Sequence, residues 1–257
     1  MFDKFPGSGL PDPVKLEQFK EMLCQGIFID SADEDYLFAR FAWHVGAKNQ
    51  FAWSAAQALE KYIKCGLLLN GSQAKFGHSF SSGFRNLLTI AYDLLPTSII
   101  RPEALQIPPG FEYEFPEDSS SAIERFDLNG HAYQRYRQLG IELRAFDLHK
   151  LDKLCFSIRR VCVPLSGTMP DGTSCRNFLI NNPQAFTFEG KLKSQIRKPR
   201  PIQDLLLDSN YAMWNNPPAK SIEFFYAFQE PAFRIDLPPY NTNFIDALKW
   251  LVGNSKI

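Results

Sequence analysis

Residues 50–71 read QFAWSAAQALEKYIKCGLLLNG, and this stretch decides the fold. Ala52, Ala55, Ala56, Leu59, Ile63, Gly66 and Leu67 recur at the i, i+3, i+4 spacing of one helical face. Asn70-Gly71 closes the run with the residue types that tolerate a left-handed conformation at a helix end. Small residues along that face let a neighbouring helix approach closely. The spacing predicts a helix over about 50–69 packed tightly against a partner.

Working outward, Ser31 or Asp33 is placed to cap a preceding helix, with Asp33, Glu34 and Asp35 in its first turn, where acid complements the helix dipole. A break near 46–49 makes these two helices an antiparallel hairpin. Upstream, Val14, Leu16, Phe19, Met22 and Leu23 predict a short helix over 14–24, after a Gly- and Pro-rich start. Downstream, Phe84, Leu87, Leu88, Ala91 and Leu95 predict a helix over 77–95 that ends at Pro96. Residues 96–118 form a connection without clear period, with a short helix near 102–105. Ser119-Ser120-Ser121 caps a helix running to about 139, and a last helix covers about 142–163, closed by Pro164.

The fold class is therefore mainly α: an up-and-down bundle of four to five helices with a mixed, Pro-rich C-terminal extension. Three segments are expected: an N-terminal appendage over 1–30, the bundle over 31–165, and the extension over 166–257. The extension carries short helices near 185–196, 201–212 and 241–252, and a strand candidate over 222–235 split by Pro231.

Lys plus Arg equals Asp plus Glu, 28 each, so the whole chain has no net attraction for nucleic acid or an anionic membrane. Binding of that kind requires a local patch. The cysteines, Cys24, Cys65, Cys155, Cys162 and Cys175, are scattered and odd in number, which reads as reduced thiols in cytoplasm. No apolar run approaches the roughly 18 residues of a membrane span, so no membrane partner is expected. Of 23 Phe, several fall in the run 224–228, where rings cap a core under loops or offer a stacking surface for bases.

The order of short motifs resembles the HEPN family of helical domains. The carrying residues are the Ala-rich stretch 54–64 with Glu60-Lys61-x-x-Lys64, the apolar end and Gly71, then Gly77-His78-Ser79-Phe80 with Phe where the family has Leu, and Arg135-Tyr136 before the last helix. The match spans about 31–164. The resemblance implies a helical bundle, often a homodimer. It implies one of two activities: a metal-independent ribonuclease of toxin or antiviral type, or a non-catalytic module that binds a nucleotide, RNA or a protein partner such as a nucleotidyltransferase-type antitoxin.

Ribonucleases of this family carry Arg, four to six residues, then His. The imidazole serves as general base and the guanidinium steadies the phosphorane. Arg144 with His149 meets the spacing at the opening of the last helix, one turn apart. Arg125 with His131 meets it on the preceding helix. The residue after each Arg is Ala145 or Phe126, where the family nucleases place a polar residue. Both pairs also read as solvated helix-surface charges. Lys61 and Lys64 are candidates for holding phosphate, although Glu60 and Lys64 at i, i+4 also read as a surface ion pair. Lys191, Lys193, Arg197, Lys198 and Arg200 form the most basic segment, able to track a phosphate backbone or to solvate a helix face. No phosphate-loop, dinucleotide, zinc-protease or nucleophile-elbow motif is present, and neither cofactor nor metal is expected. The leading expectation is a binding module, with the ribonuclease as the alternative.

Overall fold

Helix α3, Lys48–Leu69, is the axis of the molecule. In the computed structural model, which describes residues 13–44, 46–73, 79–101, 107, 109–131, 142–183 and 185, the protein is mainly helical. Helices α1 (Pro13–Cys24), α2 (Asp30–His44), α4 (Ser81–Ile90), α5 (Ser119–Asn129) and α6 (Asp147–Arg160) all pack against α3. A short helix, α7 (Cys175–Asn181), follows, with Leu179 in the core. Strands β1 (Ser98–Ile99) and β2 (Glu117–Asp118) pair antiparallel and bracket the connection between α4 and α5. The predicted elements at 102–105, 185–196, 201–212, 222–235 and 241–252 fall wholly or almost wholly outside the described residues.

The single apolar face expected for α3 understates its burial. Ser54, Glu60, Tyr62 and Cys65 are buried along with the Ala and Leu positions, as befits a helix enclosed by neighbours on most sides. Its small residues do admit close neighbours. A Cβ on Gly130 would lie 1.9 Å from the Ala56 Cβ, so the end of α5 touches α3 only because that residue is Gly. Gly71, at φ 75, ends α3 in the left-handed region as expected. Asn70 also ties down the chain after α6, donating to the Val163 carbonyl (3.1 Å) and accepting from the Leu165 N–H (2.9 Å).

Helices α2 and α3 form the expected antiparallel hairpin. Lys61 meets Asp35, Tyr62 donates to Asp33 (2.6 Å), and Trp43 packs edge-on against Phe51. The start of α2 differs from expectation. The chain runs from α1 through one π-helical turn, Gln25–Ile29, directly into α2. Ser31 is thus already inside a helix and its hydroxyl donates back to the Ile27 carbonyl (2.6 Å). Asp33 pairs with a distant arginine instead of capping.

Other helix boundaries also move. Helix α4 ends at Ile90, short of Pro96, because Arg176 takes up the Ile90 carbonyl (2.6 Å) and pairs with Asp93. Asp118, not the serines after it, caps α5, accepting from the Ser121 N–H (2.8 Å). Gly130 follows the end of that helix at Asn129. The last helix starts at Asp147, not near 142. The Asn129 side chain holds both backbone groups of Glu142, at 2.7 and 3.0 Å, and so keeps them out of a helix.

A buried polar seam joins α2 to α6. Asp152 accepts from Tyr36 and from Arg40, and Arg159 donates to Asp33 at 2.8 and 3.0 Å. Asp33 and Arg40 are seven positions apart (40 − 33), as are Asp152 and Arg159 (159 − 152), so each pair spans about two turns. Both helices read acid then base. Only an antiparallel alignment sets each acid against a base, so the seam selects orientation and register.

Candidate functional site

Arg144 and His149 do not share a helix face. Arg144 lies in the turn before α6, while His149 lies within the helix. The Arg144 guanidinium donates to Glu142 (2.9 Å) and to Glu117 (3.1 Å), and its backbone N–H donates to Asp147 (2.8 Å). Burial acts to lower its pKa, but the bond to Glu142 and the charge of Glu117 outweigh it and raise the value. His149 is half-buried and its ring lies 6.3 Å from that of Phe146. Burial pushes its imidazole below the ordinary value, with Asp152 acting to raise it and Arg40 to lower it.

Arg125 and His131 are also separated. Arg125 is buried on α5, bonded to both Glu117 oxygens (2.9 and 3.1 Å) and to Asp147 (2.6 Å). His131 lies past the end of the helix, its backbone N–H donating to Leu128. Neither pair is a solvated pair on a helix surface. Both arginines are fastened into one ionic cluster. Lys61 is paired with Asp35, and Lys64 with Glu60 as the i, i+4 spacing indicates. Lys191, Lys193, Arg197, Lys198 and Arg200 lie outside the described residues.

The cluster grows from three elements. Strand β2 supplies Glu117, α5 supplies Arg125, and the start of α6 supplies Asp147 and Lys150. Lys150 is fully buried and bonds Glu114 (2.5 Å) and Glu117 (2.8 Å), with its ammonium 5.3 Å from the Phe115 ring centre. Burial acts to raise the Glu117 carboxyl, but the Lys150 ammonium and the Arg125 guanidinium overcome it and hold the group below the usual carboxylate range. At Asp147 burial dominates over Arg125 and raises the carboxyl.

Against this cluster lies a cavity of about 400 Å³, large enough for a small ligand or a long side chain. Phe111, Tyr113, Glu114, Glu142 and Arg144 are among its walls, and His149 is not. Phe111 and Tyr113 stack at 6.2 Å between ring centres, and Tyr113 is 73% exposed. Glu142 is the outermost charge, with its side chain 63% exposed. The cavity therefore offers two flat apolar rings and a carboxylate, while its guanidinium is already engaged. Among the described residues, no group of His, Cys, Asp and Glu could hold a metal ion. The five cysteines are free and buried, and no described helix is long and apolar enough to cross a membrane.

The sequence reading missed Phe111, Tyr113, Glu114, Glu117 and Lys150. The signal available was the run FEYEFPE at 111–117, in which aromatic and acidic residues alternate inside an otherwise irregular connection. Comparison with known proteins finds no matching family model, no significantly similar curated protein and no significantly similar solved structure.

Proposed function

We propose that the chain is a HEPN-like bundle that works as a non-catalytic binding module and takes its ligand at the Phe111–Tyr113 cavity. The single observation that carries this reading is the engagement of Arg125 and Arg144. Each is held by two carboxylates in a shared cluster, and Arg144 faces a cavity that His149 does not line. A phosphorane needs a guanidinium whose charge is not already matched, beside a base that reaches the same substrate. The cavity has the form of a binding site, with stacked rings for contact area and a few convergent polar groups for orientation. The HEPN-like reading itself is supported by the order of elements: a tight α2–α3 hairpin, then α4, α5 and α6 around α3.

The test is incubation of the wild type, Arg144→Ala and His149→Ala with total cellular RNA in EDTA. Intact RNA in all three is the expected result. Cleavage by the wild type that disappears in the His149 variant would establish the ribonuclease reading instead.

A further inference from the structure

We infer that the cavity receives the guanidinium of an arginine side chain on a partner polypeptide, an inference that rests on the binding-module reading. The first support is charge. Arg125 is matched by Glu117 and Asp147, Lys150 by Glu114 and Glu117, and Arg144 by Glu117 and Glu142. The carboxylates of the cluster outnumber its cations, and Glu112 adds another on the turn between Phe111 and Tyr113. Among the described residues, a phosphate entering here meets carboxylates and only cations that are already paired, which disfavours it, whereas a cation is drawn in.

The second support is shape. Phe111 and Tyr113 lie nearly parallel, 24° apart, and line the cavity together with the 63%-exposed Glu142. Arg144 bonds only one Glu142 oxygen, Oε1, through both Nε and Nη2, leaving Oε2 to accept from a ligand. A planar guanidinium stacks on an aromatic face and donates in its own plane to a carboxylate at the same time. A lysine ammonium can sit over a ring or donate to a carboxylate but lacks the flat fork that does both at once. Glu142 is held by Asn129 through its backbone alone, so its side chain is positioned without being buried.

Calorimetric titration of the full chain with acetyl-Gly-Arg-Gly-amide, its lysine and glutamate counterparts, and guanosine monophosphate tests the inference. The arginine peptide is expected to bind with a dissociation constant on the order of 1 mM, and the glutamate peptide and the nucleotide not to bind. Glu142→Gln and Tyr113→Ala are each expected to weaken the arginine peptide by about fivefold or more, with an unchanged unfolding midpoint showing that both variants fold. Three results overturn the inference: no arginine-peptide binding by about 10 mM, binding that neither variant changes, or lysine binding equal to arginine. Nucleotide binding that Tyr113→Ala abolishes also overturns it, in favour of a base, while leaving the binding-module reading intact. Metal-free RNA cleavage sinks the module reading and is read separately from these titrations.

Discussion

Replacing Lys150 by Met removes a fully buried ammonium while keeping most of the stem. In the wild type that ammonium sits 2.5 Å from Glu114 and 2.8 Å from Glu117. The two carboxylates then fare differently. Glu117 keeps Arg125 and Arg144, but Glu114 is only 3% exposed and loses its ion-pair partner. A buried charge stranded in this way costs about 3–5 kcal/mol, far more than the stem contacts retained by Met. With a urea slope of about 2–3 kcal/mol per molar, the unfolding midpoint at pH 7 should fall by roughly 1–2 M. Adding Glu114→Met should recover most of the loss, and a double-mutant cycle measures the coupling. A midpoint shift under about 0.3 M for Lys150→Met, or no recovery in the double variant, would refute the reasoning.

Other outcomes follow from the same geometry. Asp152→Ala removes the carboxylate that matches the buried Arg40 guanidinium and should cost about 3–5 kcal/mol by chemical denaturation, whereas Arg40→Met with Asp152→Leu should cost much less. Gly130→Ala brings a Cβ into the Ala56 methyl and should destabilise by about 1–3 kcal/mol, with Ala56→Gly restoring part of it. His149 has a folded-state pKa below its unfolded value of 6.5, so the unfolded chain binds more protons in that window and stability rises with pH through it. Acidification from pH 7 should therefore lower the wild type's melting temperature, and His149→Gln should flatten that part of the profile.

What the sequence makes legible is local. The length of α3, the glycine that ends it, the hairpin with α2 and the Glu60–Lys64 pair all follow from spacing within a few turns. What escapes it is recruited from afar. The start of α4 is capped by Asp127 of α5, which accepts from the Phe80 and Ser81 N–H groups at 3.1 and 3.0 Å, and no local motif announces this. The same holds for Arg176 on the Ile90 carbonyl and Asn129 on the Glu142 backbone. Arg125 and Arg144 stand out through a chemical pattern with His, yet their partners are carboxylates on β2, on the segment leading into α6 and on α6 itself. A spacing rule along one chain segment does not see Glu117, which binds both. The seam of Asp33, Tyr36, Arg40, Asp152 and Arg159 is visible as helical periodicity only once the two helices are set side by side.

The most direct measurement of the central claim is a backbone amide chemical-shift map of the isotopically labelled chain titrated with acetyl-Gly-Arg-Gly-amide. Perturbations centred on Phe111, Tyr113 and residues 142–145 are expected. Shifts centred on His149 and the α2–α6 seam, or no shifts at all, would contradict that claim.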